Sequence, residues 1–392
     1  MSYRTIDGIP IWGQADENTI NQARNCKKFF DEVFLMGDNH LGYSIPIGGV
    51  VVSRDYISPS AVGMDIGCGN KAIELDVSLN DIKPISQLMN DIWKILSFGI
   101  GLNNKETTDH PIFYEDTWNL EPLCDLQDLA RNQLGTIGSG NHFVDIFADE
   151  NSKIWVGVHF GSRGLGYKIA SYFLKKNGAK DGMNVDPLLL HIDTQEAQDY
   201  LVCMKLAGRY AYAGRDWVCE KIRSIIGANI VSEVHNHHNF AWEEKDTEGN
   251  PVWVMRKGST PSYPGQKCFV GGSMGDNSVI LEGIDTEESR INYHSSMHGA
   301  GRSMSRNEAR GRVDHKSGIH KTEGKVSKEM MNEWLNNRGI ILRGADTDES
   351  PQAYKRLDSV LEAHSNCIKI IHTLRPLGVA MAGPDTLDPY KD

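Results

Sequence analysis

The stretch Gly63-Met64-Asp65-Ile66-Gly67-Cys68-Gly69 places an aspartate and a cysteine in a glycine-rich loop that follows the apolar pair Ala61-Val62. A cysteine between glycines is poorly placed to fill a core, and a carboxylate three residues earlier can share a metal with its thiolate. A free cysteine is more often a small buried hydrophobic residue. The stretch therefore predicts a loop after a strand, and both interpretations of Cys68 stay open.

The same unit, a strand followed by a glycine loop that carries a polar residue, recurs along the chain. Glycine allows positive φ and a close approach of the backbone to a ligand. Apolar runs typical of strands precede several of these loops, among them Ile45–Val52, Ile154–His159 and Cys268–Val270. The glycine clusters lie at 48–49, 63–69, 135–140, 161–166, 271–275 and 298–302.

Apolar residues with helical spacing are interleaved with these strands. The strands and helices do not alternate evenly, which argues against a doubly wound fold, and no linker or repeat divides the chain. We therefore predict a single α+β domain with mixed sheets over residues 1–392. The predicted helices are Ile85–Leu96, Leu123–Leu134, Gly166–Lys176, Thr194–Ile226 and Ser327–Asn336.

The composition is that of a globular enzyme-sized chain, with 392 residues, 40% hydrophobic and 24% charged. The N-terminal sequence lacks a basic and then apolar targeting segment, and no run approaches the roughly 20 apolar residues that span a bilayer. Seven cysteines, an odd number without a C-x-x-C pair, favour reduced thiols. These features predict a cytoplasmic protein.

The net charge of −11 excludes a surface that is basic throughout, so a nucleic-acid partner needs a local basic patch. One candidate patch runs from Arg302 to Lys325, where seven lysines and arginines face only three acidic residues. Such a segment suits the backbone of a polyanion. A solvated charged segment explains the composition equally well.

Histidines accompany the glycine loops in the rest of the chain. His142 and His159 each adjoin apolar residues and a loop, where an imidazole can reach a metal while its other nitrogen is held by a neighbour. Taken singly, each is more often a structural histidine. The segment 235–238 packs three histidines into four residues, which core packing does not readily explain.

His298 lies in a loop of small residues with Arg302 four positions later. A histidine that attacks phosphorus needs an uncrowded imidazole nitrogen, and an arginine can neutralise the attacked phosphate. A loop residue without catalytic role is an equal alternative. Together the loops supply more donors than one zinc ion requires, so two adjacent metals bridged by the Cys68 thiolate would fit.

The motifs taken in order resemble the RtcB family of RNA ligases, and the likeness covers nearly the whole chain. The motifs that carry it are 36–42 (MGDNHLG), 63–69 (GMDIGCG), 134–143 (LGTIGSGNHF), 159–166 (HFGSRGLG), 238–239 (HN), 256–258 (RKG), 272–275 (GSMG), 298–302 (HGAGR) and 353–355 (AYK). The resemblance implies a GTP- and Mn²⁺-dependent ligase of RtcB-type fold, favoured as a monomer. Its substrates would be RNA 3′-phosphate or 2′,3′-cyclic phosphate ends and 5′-hydroxyl ends, in RNA repair or tRNA splicing.

The resemblance also implies a role for individual residues. Cys68 would bridge two Mn²⁺ ions, and His298 would be the nucleophile that takes GMP from GTP. Arg163 and Arg302 would contact phosphates, and Tyr354 would stack near the guanine. Asp65 and His142 would complete one metal site, and His159 and His238 the other. The nucleotide would lie along Asn141, Asp145, Ser273 and Ser278.

Several positions depart from the family pattern and suggest a divergent bacterial-type paralogue. Asp145 stands where the family has a glutamate that reads the guanine edge, Gly271 where it has proline, and Asn70 where it has methionine or valine. The family's C-terminal lysine-glycine is replaced by Met381 or Ala382, followed by a tail in which Lys391 could substitute for the lysine.

Two other functions remain as alternatives. One is a dinuclear-metal phosphoesterase that acts on RNA ends without nucleotide activation, which the altered C-terminus favours. The intact loop around His298 speaks against it, because a hydrolase has no need of that histidine. The other is a non-catalytic RNA-binding protein, which the complete set of metal ligands disfavours.

Overall fold

The computed structural model describes residues 2–312 and 322–384 of the chain. Lys316 and Lys321 of the candidate basic patch, and Lys391 of the C-terminal tail, lie outside the described residues. Within the described residues, no helix is both long and apolar enough to pass through a bilayer.

Strands make up two large mixed sheets and two short ribbons. The strands are β1 Tyr3–Ile6, β2 Ile9–Trp12, β3 Glu32–His40, β4 Ile47–Ser53, β5 Tyr56–Ile57, β6 Gly69–Ser78, β7 Phe143–Ala148, β8 Lys153–Phe160, β9 Leu190–His191, β10 Ile230–His237, β11 Asn239–Lys245, β12 Pro251–Lys257, β13 Ser259–Pro261, β14 Lys267–Val270, β15 Ser278–Gly283, β16 Ser295–Met297, β17 Ile341–Arg343 and β18 Ile368–Met381.

The α-helices connect and cover these strands. They are α1 Glu17–Cys26, α2 Pro59–Val62, α3 Ile85–Ile95, α4 Gln127–Gln133, α5 Arg163–Lys176, α6 Gln195–Ile226, α7 Glu287–Ile291, α8 Arg306–Arg310, α9 Lys328–Asn336 and α10 Leu357–Ala363. Short 3₁₀ turns lie at Leu79–Asp81, Pro111–Tyr114, Asp116–Asn119, Leu123–Asp125, Thr347–Glu349 and Pro351–Ala353.

The first sheet has the order β1-β2-β3-β4-β12-β11, and the second has the order β10-β6-β8-β7-β18-β15-β14 with β17 beside β18. Most neighbours are antiparallel, whereas β2 pairs with β3 and β17 with β18 in parallel. The predicted α+β class with mixed sheets is confirmed. One apolar cluster lies between the first sheet and α5 and α6, and another lies between the second sheet and α3 and α6.

The helix predictions agree with the structure to within a few residues, except for one segment. The Thr194 side chain accepts from the Ala197 N–H at the start of α6, and Gly227 ends that helix with φ +79°. The segment Leu123–Leu134, predicted as one helix, is instead a 3₁₀ turn and α4. The two are separated at Leu126, where φ is −113° and ψ is −6°.

Candidate metal and nucleotide site

Four adjacent strands of the second sheet bring the predicted metal donors together at one end of these strands. Cys68 directly precedes β6, His142 precedes β7, His159 lies near the end of β8, and His238 follows β10. Because these neighbours are antiparallel, the start of one strand lies beside the end of the next. Asn70 is paired with His159, and His159 with Phe143, so these residues share a face.

The donors form two groups that share the Cys68 thiol. In each group the possible ligand atoms lie within 4.8 Å of one another: Cys68 with His159 and His238, and Cys68 with Asp65 and His142. The Sγ atom is 3.6 Å from His142 Nε2 and 3.7 Å from His159 Nε2. Sulfur, imidazole and carboxylate ligands at this spacing can hold two divalent cations with the thiolate between them.

Asn70 holds His159 in one orientation. The Asn70 amide N–H₂ donates to the carbonyls of Phe269 (2.9 Å) and His298 (3.2 Å), so its oxygen faces His159. His159 Nδ1 lies 2.5 Å from that oxygen and donates to it, which leaves the Nε2 lone pair toward Cys68. Asn70, a departure from the family pattern, thus supplies the support that a metal-binding histidine needs.

The charges around Cys68 match a cation site. Burial and the neighbouring Asp65 raise the pKa of the Cys68 thiol well above its usual value. Burial opposes ionisation of Asp65, but the His142 hydrogen bond and charge outweigh it and lower the pKa to about 2. Burial also keeps the pKa of His159 and of His238 well below the usual value, which favours the neutral imidazole that can act as a metal ligand. A metal ion would stabilise the thiolate that burial disfavours.

His298 lies beside this donor set and is oriented by Asp38. Its ring centre is 4.8 Å from that of His238, and its Nδ1 is 2.6 Å from Asp38 Oδ2. The same carboxylate oxygen accepts the N–H groups of His298 (2.8 Å) and Gly299 (3.3 Å). Although burial disfavours the charged form, the nearby His298 lowers the pKa of Asp38. Nε2 is therefore the nitrogen left available for chemistry.

These groups open into one cavity of about 610 Å³. Every predicted site residue except Ser278 and Arg163 lines it. These lining residues are Asp65, Cys68, Asn141, His142, Asp145, His159, His238, Ser273, His298, Arg302 and Tyr354.

Ser278 and Arg163 sit behind the cavity wall. The buried Ser278 hydroxyl accepts the N–H of Gly272 (3.0 Å), so it shapes the glycine loop. The Arg163 guanidinium lies 3.0 Å from His142 Nδ1 and packs against Gly138. Both positions stay predictions as ligand contacts, and in this structure each supports a neighbour that lines the cavity.

The opposite wall is a network of charges. Arg302 donates to Tyr354 Oη (3.1 Å) and to the Asp348 carbonyl (2.8 Å), and its guanidinium lies 4.9 Å from the Tyr354 ring centre. Glu349, almost fully buried, binds both Tyr354 Oη and Arg306. The network fixes the orientation of Tyr354 and Arg302 at the cavity surface.

Asp145 and Met381 both line the cavity and come from the paired strands β7 and β18. Asp145 is only 7% exposed, and burial alone raises the pKa of its carboxyl well above the usual value. Its Oδ1 is buried without a hydrogen-bond partner among the described residues. Val379 is its neighbour on β18, and Met381 also lines the cavity.

Two residues that the sequence did not single out support the site. Asp38 was part of a recognised motif without an assigned role. Arg215, within α6, is fully buried and donates to the carbonyls of Gly67 (3.0 Å) and Phe160 (2.5 Å), which flank the donor loops. Its spacing of seven residues from Gly208 is the signal that would have placed it on the buried face of the helix.

Gly67 and Gly208 let α6 approach the loop of Cys68. Gly67 has φ +69°, and a Cβ there would lie 3.0 Å from the Gly208 Cα. A side chain at Gly67 would force the helix and the donor loop apart, whereas a Cβ at Gly208 would lie 2.8 Å from the Phe240 ring.

Comparison with known proteins agrees with this geometry. The family model described as "tRNA-splicing ligase RtcB" matches residues 19–121 and 124–382. The RNA-splicing ligase RtcB of Escherichia coli K12 is 30% identical, and the match covers 94% of each chain. The tRNA-splicing ligase RtcB of Archaeoglobus fulgidus is 29% identical over 88% of this chain and 86% of its own. The tRNA-splicing ligase RtcB of Thermococcus kodakarensis is 29% identical over 93% and 91%. The chain therefore belongs to the RtcB family.

Proposed function

We propose that this protein is an RNA ligase that joins an RNA 3′-phosphate or 2′,3′-cyclic phosphate end to a 5′-hydroxyl end. The reaction uses GTP and two Mn²⁺ ions and proceeds through a guanylylated His298. The names of the relatives, which are RNA- and tRNA-splicing ligases, support the substrate class and a role in tRNA splicing or RNA repair.

The observation that carries the proposal is the orientation of His298. Asp38 lies against Nδ1, so Nε2 is the nucleophilic nitrogen, and the carboxylate stabilises the positive charge that develops on the ring. Nε2 attacks the α-phosphorus of GTP: a P–N bond forms, the P–O bond to the β-phosphate breaks, and pyrophosphate leaves. A phosphoesterase has no use for this arrangement.

Two further transfers complete ligation. An oxygen of the RNA 3′-phosphate attacks the phosphorus on His298, which breaks the P–N bond and leaves GMP on the RNA end. The 5′-hydroxyl oxygen then attacks the RNA 3′-phosphorus, and GMP leaves as the new phosphodiester forms. A cyclic phosphate first takes up water at phosphorus and loses its bond to the 2′-oxygen.

The two donor groups around Cys68 fit the metals that this chemistry needs. Cys68, Asp65 and His142 would hold one Mn²⁺, and Cys68, His159 and His238 the other. Bound there, the ions would neutralise phosphate charge and polarise phosphorus toward attack. Asn70 and the Ile137 carbonyl, 3.1 Å from His142 Nδ1, keep two of the histidines oriented.

Asp145 is the proposed contact for the base. Its buried, unpartnered oxygen would gain hydrogen bonds from the N1–H and 2-amino groups of guanine. The two guanine N–H groups would favour the ionised form of Asp145 that burial disfavours, whereas adenine presents an acceptor at N1 and would not. Because aspartate is one methylene shorter than glutamate, the base must lie correspondingly closer to β7.

The test is incubation with Mn²⁺ and α-labelled GTP, in parallel with α-labelled ATP, followed by denaturing electrophoresis. We expect an acid-labile covalent label from GTP that is lost in His298→Ala. His298→Ala should still join RNA ends that already carry the activating GMP. The matched control is His191→Ala. The His191 side chain is 44% exposed, and this variant should be labelled as strongly as the wild type.

Each outcome of this experiment has a definite meaning. Persistent label in His298→Ala would overturn the nucleophile assignment. An absence of label from either nucleotide, with retained hydrolysis of RNA-end phosphates, would support the phosphoesterase instead. Equal labelling from ATP would refute the proposed role of Asp145 while leaving the nucleophile intact.

A further inference from the structure

A second cavity, of about 400 Å³, carries three arginines that the proposed reaction does not use. Arg338 follows α9, Arg356 precedes α10, and Arg375 lies in β18. All three are exposed at residue level. We call the set Arg338, Arg356 and Arg375 the arginine basin.

The two carboxylates at the basin offset only part of its positive charge. Asp276 accepts from the Ser273 hydroxyl (2.6 Å) and pairs with Arg356 at 3.0 Å. Asp358 is the other acidic residue of the lining and lies in the first turn of α10, where the helix N-terminus favours its charge. Among the described residues, Arg338 and Arg375 have no ion-pair partner, so two guanidinium groups remain for a ligand.

Trp334 preorganises two of the arginines. The Arg338 Cζ lies 3.5 Å from the Trp334 ring centre, and the Arg356 Cζ lies 4.1 Å from it. Both guanidinium groups are therefore within cation–π distance of one indole. Stacking restricts the rotamers of both side chains before a ligand binds. Arg356 also pairs with Asp276, so among these two it is Arg338 whose guanidinium has no carboxylate partner within the described residues.

The basin adjoins the active-site cavity across two segments of chain. In the glycine loop, Ser273 and Met274 line the first cavity, whereas Gly275 and Asp276 line the second. Likewise Tyr354 lines the first cavity and Arg356 the second. Two residues of extended chain span about 7 Å, so a strand whose end enters the first cavity passes close to the basin.

The charge of the whole chain makes such a local site necessary. With a net charge of −11, the protein repels a polyanion except where cations are concentrated. Phosphate contacts supply most of the affinity of proteins for RNA strands and set their register without reading the bases.

We propose that the arginine basin binds backbone phosphates of the RNA substrate, a few nucleotides from the end that is ligated. This inference rests on the proposed RNA ligase function. It assigns the basin to positioning of the strand, so it predicts an effect that depends on RNA length and is independent of nucleotide transfer to His298.

The test is the double variant Arg338→Gln/Arg375→Gln, which leaves the Arg356–Asp276 pair in place. Fluorescence anisotropy would measure the Kd of 3′-phosphorylated single-stranded RNAs of 3 and 20 nucleotides over a range of salt concentrations. We expect binding of the 20-mer to weaken at least tenfold and binding of the trinucleotide to change less than twofold. The slope of log K against log salt should fall by about 1.4, because each phosphate contact on a single strand contributes about 0.7.

The control is Arg4→Gln/Lys205→Gln, which removes the same charge from exposed residues of β1 and α6. It should change the Kd of the 20-mer less than twofold. Unchanged affinity and salt slope in the basin variant would overturn the proposal, and so would equal losses for both RNAs. Each single variant, should the double variant fail to fold, is expected to show about half the change in slope.

The outcome is separable from the proposed function. Labelling of His298 by GTP should be the same in the basin variant as in the wild type. If the wild-type protein gave no label but still bound the 20-mer through the basin, the proposed ligase function would be refuted. The proposed RNA-binding site would still be supported.

Discussion

The histidines at the end of β10 have opposite surroundings, although they are neighbours in the sequence. His235 and His237 face α6, where Arg215 donates to His235 Nε2 (2.8 Å) and lies 3.1 Å from His237 Nδ1. His238, one residue later, faces the cavity, and its Nδ1 is buried without a partner among the described residues. We call the first group the arginine layer and the groups around Cys68 the donor cluster.

The contrast between the arginine layer and the donor cluster shows that a cluster of histidines does not by itself identify a metal site. In the arginine layer, hydrogen bonds within the protein satisfy the rings, so the layer supports the loops above it. In the donor cluster, ring nitrogens and the thiol converge on open space, where a cation can bind. Variants of the two regions should therefore differ in kind as well as in size.

Removal of the shared ligand should have the largest effect. We expect Cys68→Ala to lose both bound metal ions and to reduce GTP labelling and ligation by at least about 100-fold, because both groups depend on the thiolate. Metal content after dialysis and single-turnover labelling would measure this. The matched control is Cys219→Ala, which removes a different buried cysteine, one that lies in α6. Two metal ions per chain in Cys68→Ala would contradict the bridging role.

Asp38→Asn tests a residue that orients without binding metal. We expect labelling of His298 to slow by about 10²- to 10⁴-fold, since the amide neither fixes the ring nitrogen nor stabilises its charge. Metal content should stay at the wild-type value. Loss of metal together with labelling would show that Asp38 belongs functionally to the donor cluster.

Arg215→Met should remove the hydrogen bonds of the arginine layer directly. Because this layer supports the donor loops, metal binding at the donor cluster should weaken as a consequence. The carbonyls of Gly67 and Phe160 would lose a buried donor, so we expect unfolding free energy to fall by about 2–4 kcal/mol. Metal affinity should weaken by about 10- to 100-fold. Urea unfolding and Co²⁺ titration would measure the two effects. Arg209→Met, on the exposed face of the same helix, should change neither.

Unchanged metal affinity in a folded Arg215→Met would restrict Arg215 to a purely structural role. Arg215→Lys offers a further distinction. It keeps the charge but cannot reach two carbonyls and two rings at once, so it should recover only part of the metal affinity.

A further effect, on the pH dependence of stability alone, concerns a histidine that belongs to neither region. His364 is fully buried, and its Nε2 accepts the Gly37 N–H (2.9 Å). Burial lowers its pKa to about 4, and the carboxylates of Asp38 and Glu288 oppose this only in part. Below pH 6.5 the unfolded chain therefore binds a proton that the folded chain excludes.

Stability should accordingly fall as pH drops from 6.5 toward 4, and His364 contributes about 1.4 kcal/mol per pH unit to that fall. His364→Gln keeps an acceptor for Gly37 and should have a slope smaller by one proton. Urea unfolding at several pH values would measure the slopes. Identical slopes in both proteins would contradict the assignment.

The sequence predicted the parts of the site that lie in short motifs. Cys68, His142, His159 and His238 stand beside glycine loops, and the structure brings them within ligand distance. The order of the motifs also identified the family. Asp38 and Arg215 could not be assigned roles in this way, because Asp38 acts on His298, 260 residues away, and Arg215 joins Gly67 and Phe160, which lie on different segments of the chain.

From the sequence alone we could predict which chemical groups are available, namely the thiol, the carboxylates and the imidazoles. The glycine loops and the α+β class could be predicted in the same way. Whether each imidazole faces α6 or the cavity depends on the tertiary structure. Side chains alternate along a strand, so His237 faces Arg215 while His238 faces the cavity, and only sheet pairing says which face is which. The arginine basin depends in the same way on the fold, because residues 338, 356 and 375 meet only when α9, α10 and β18 pack together.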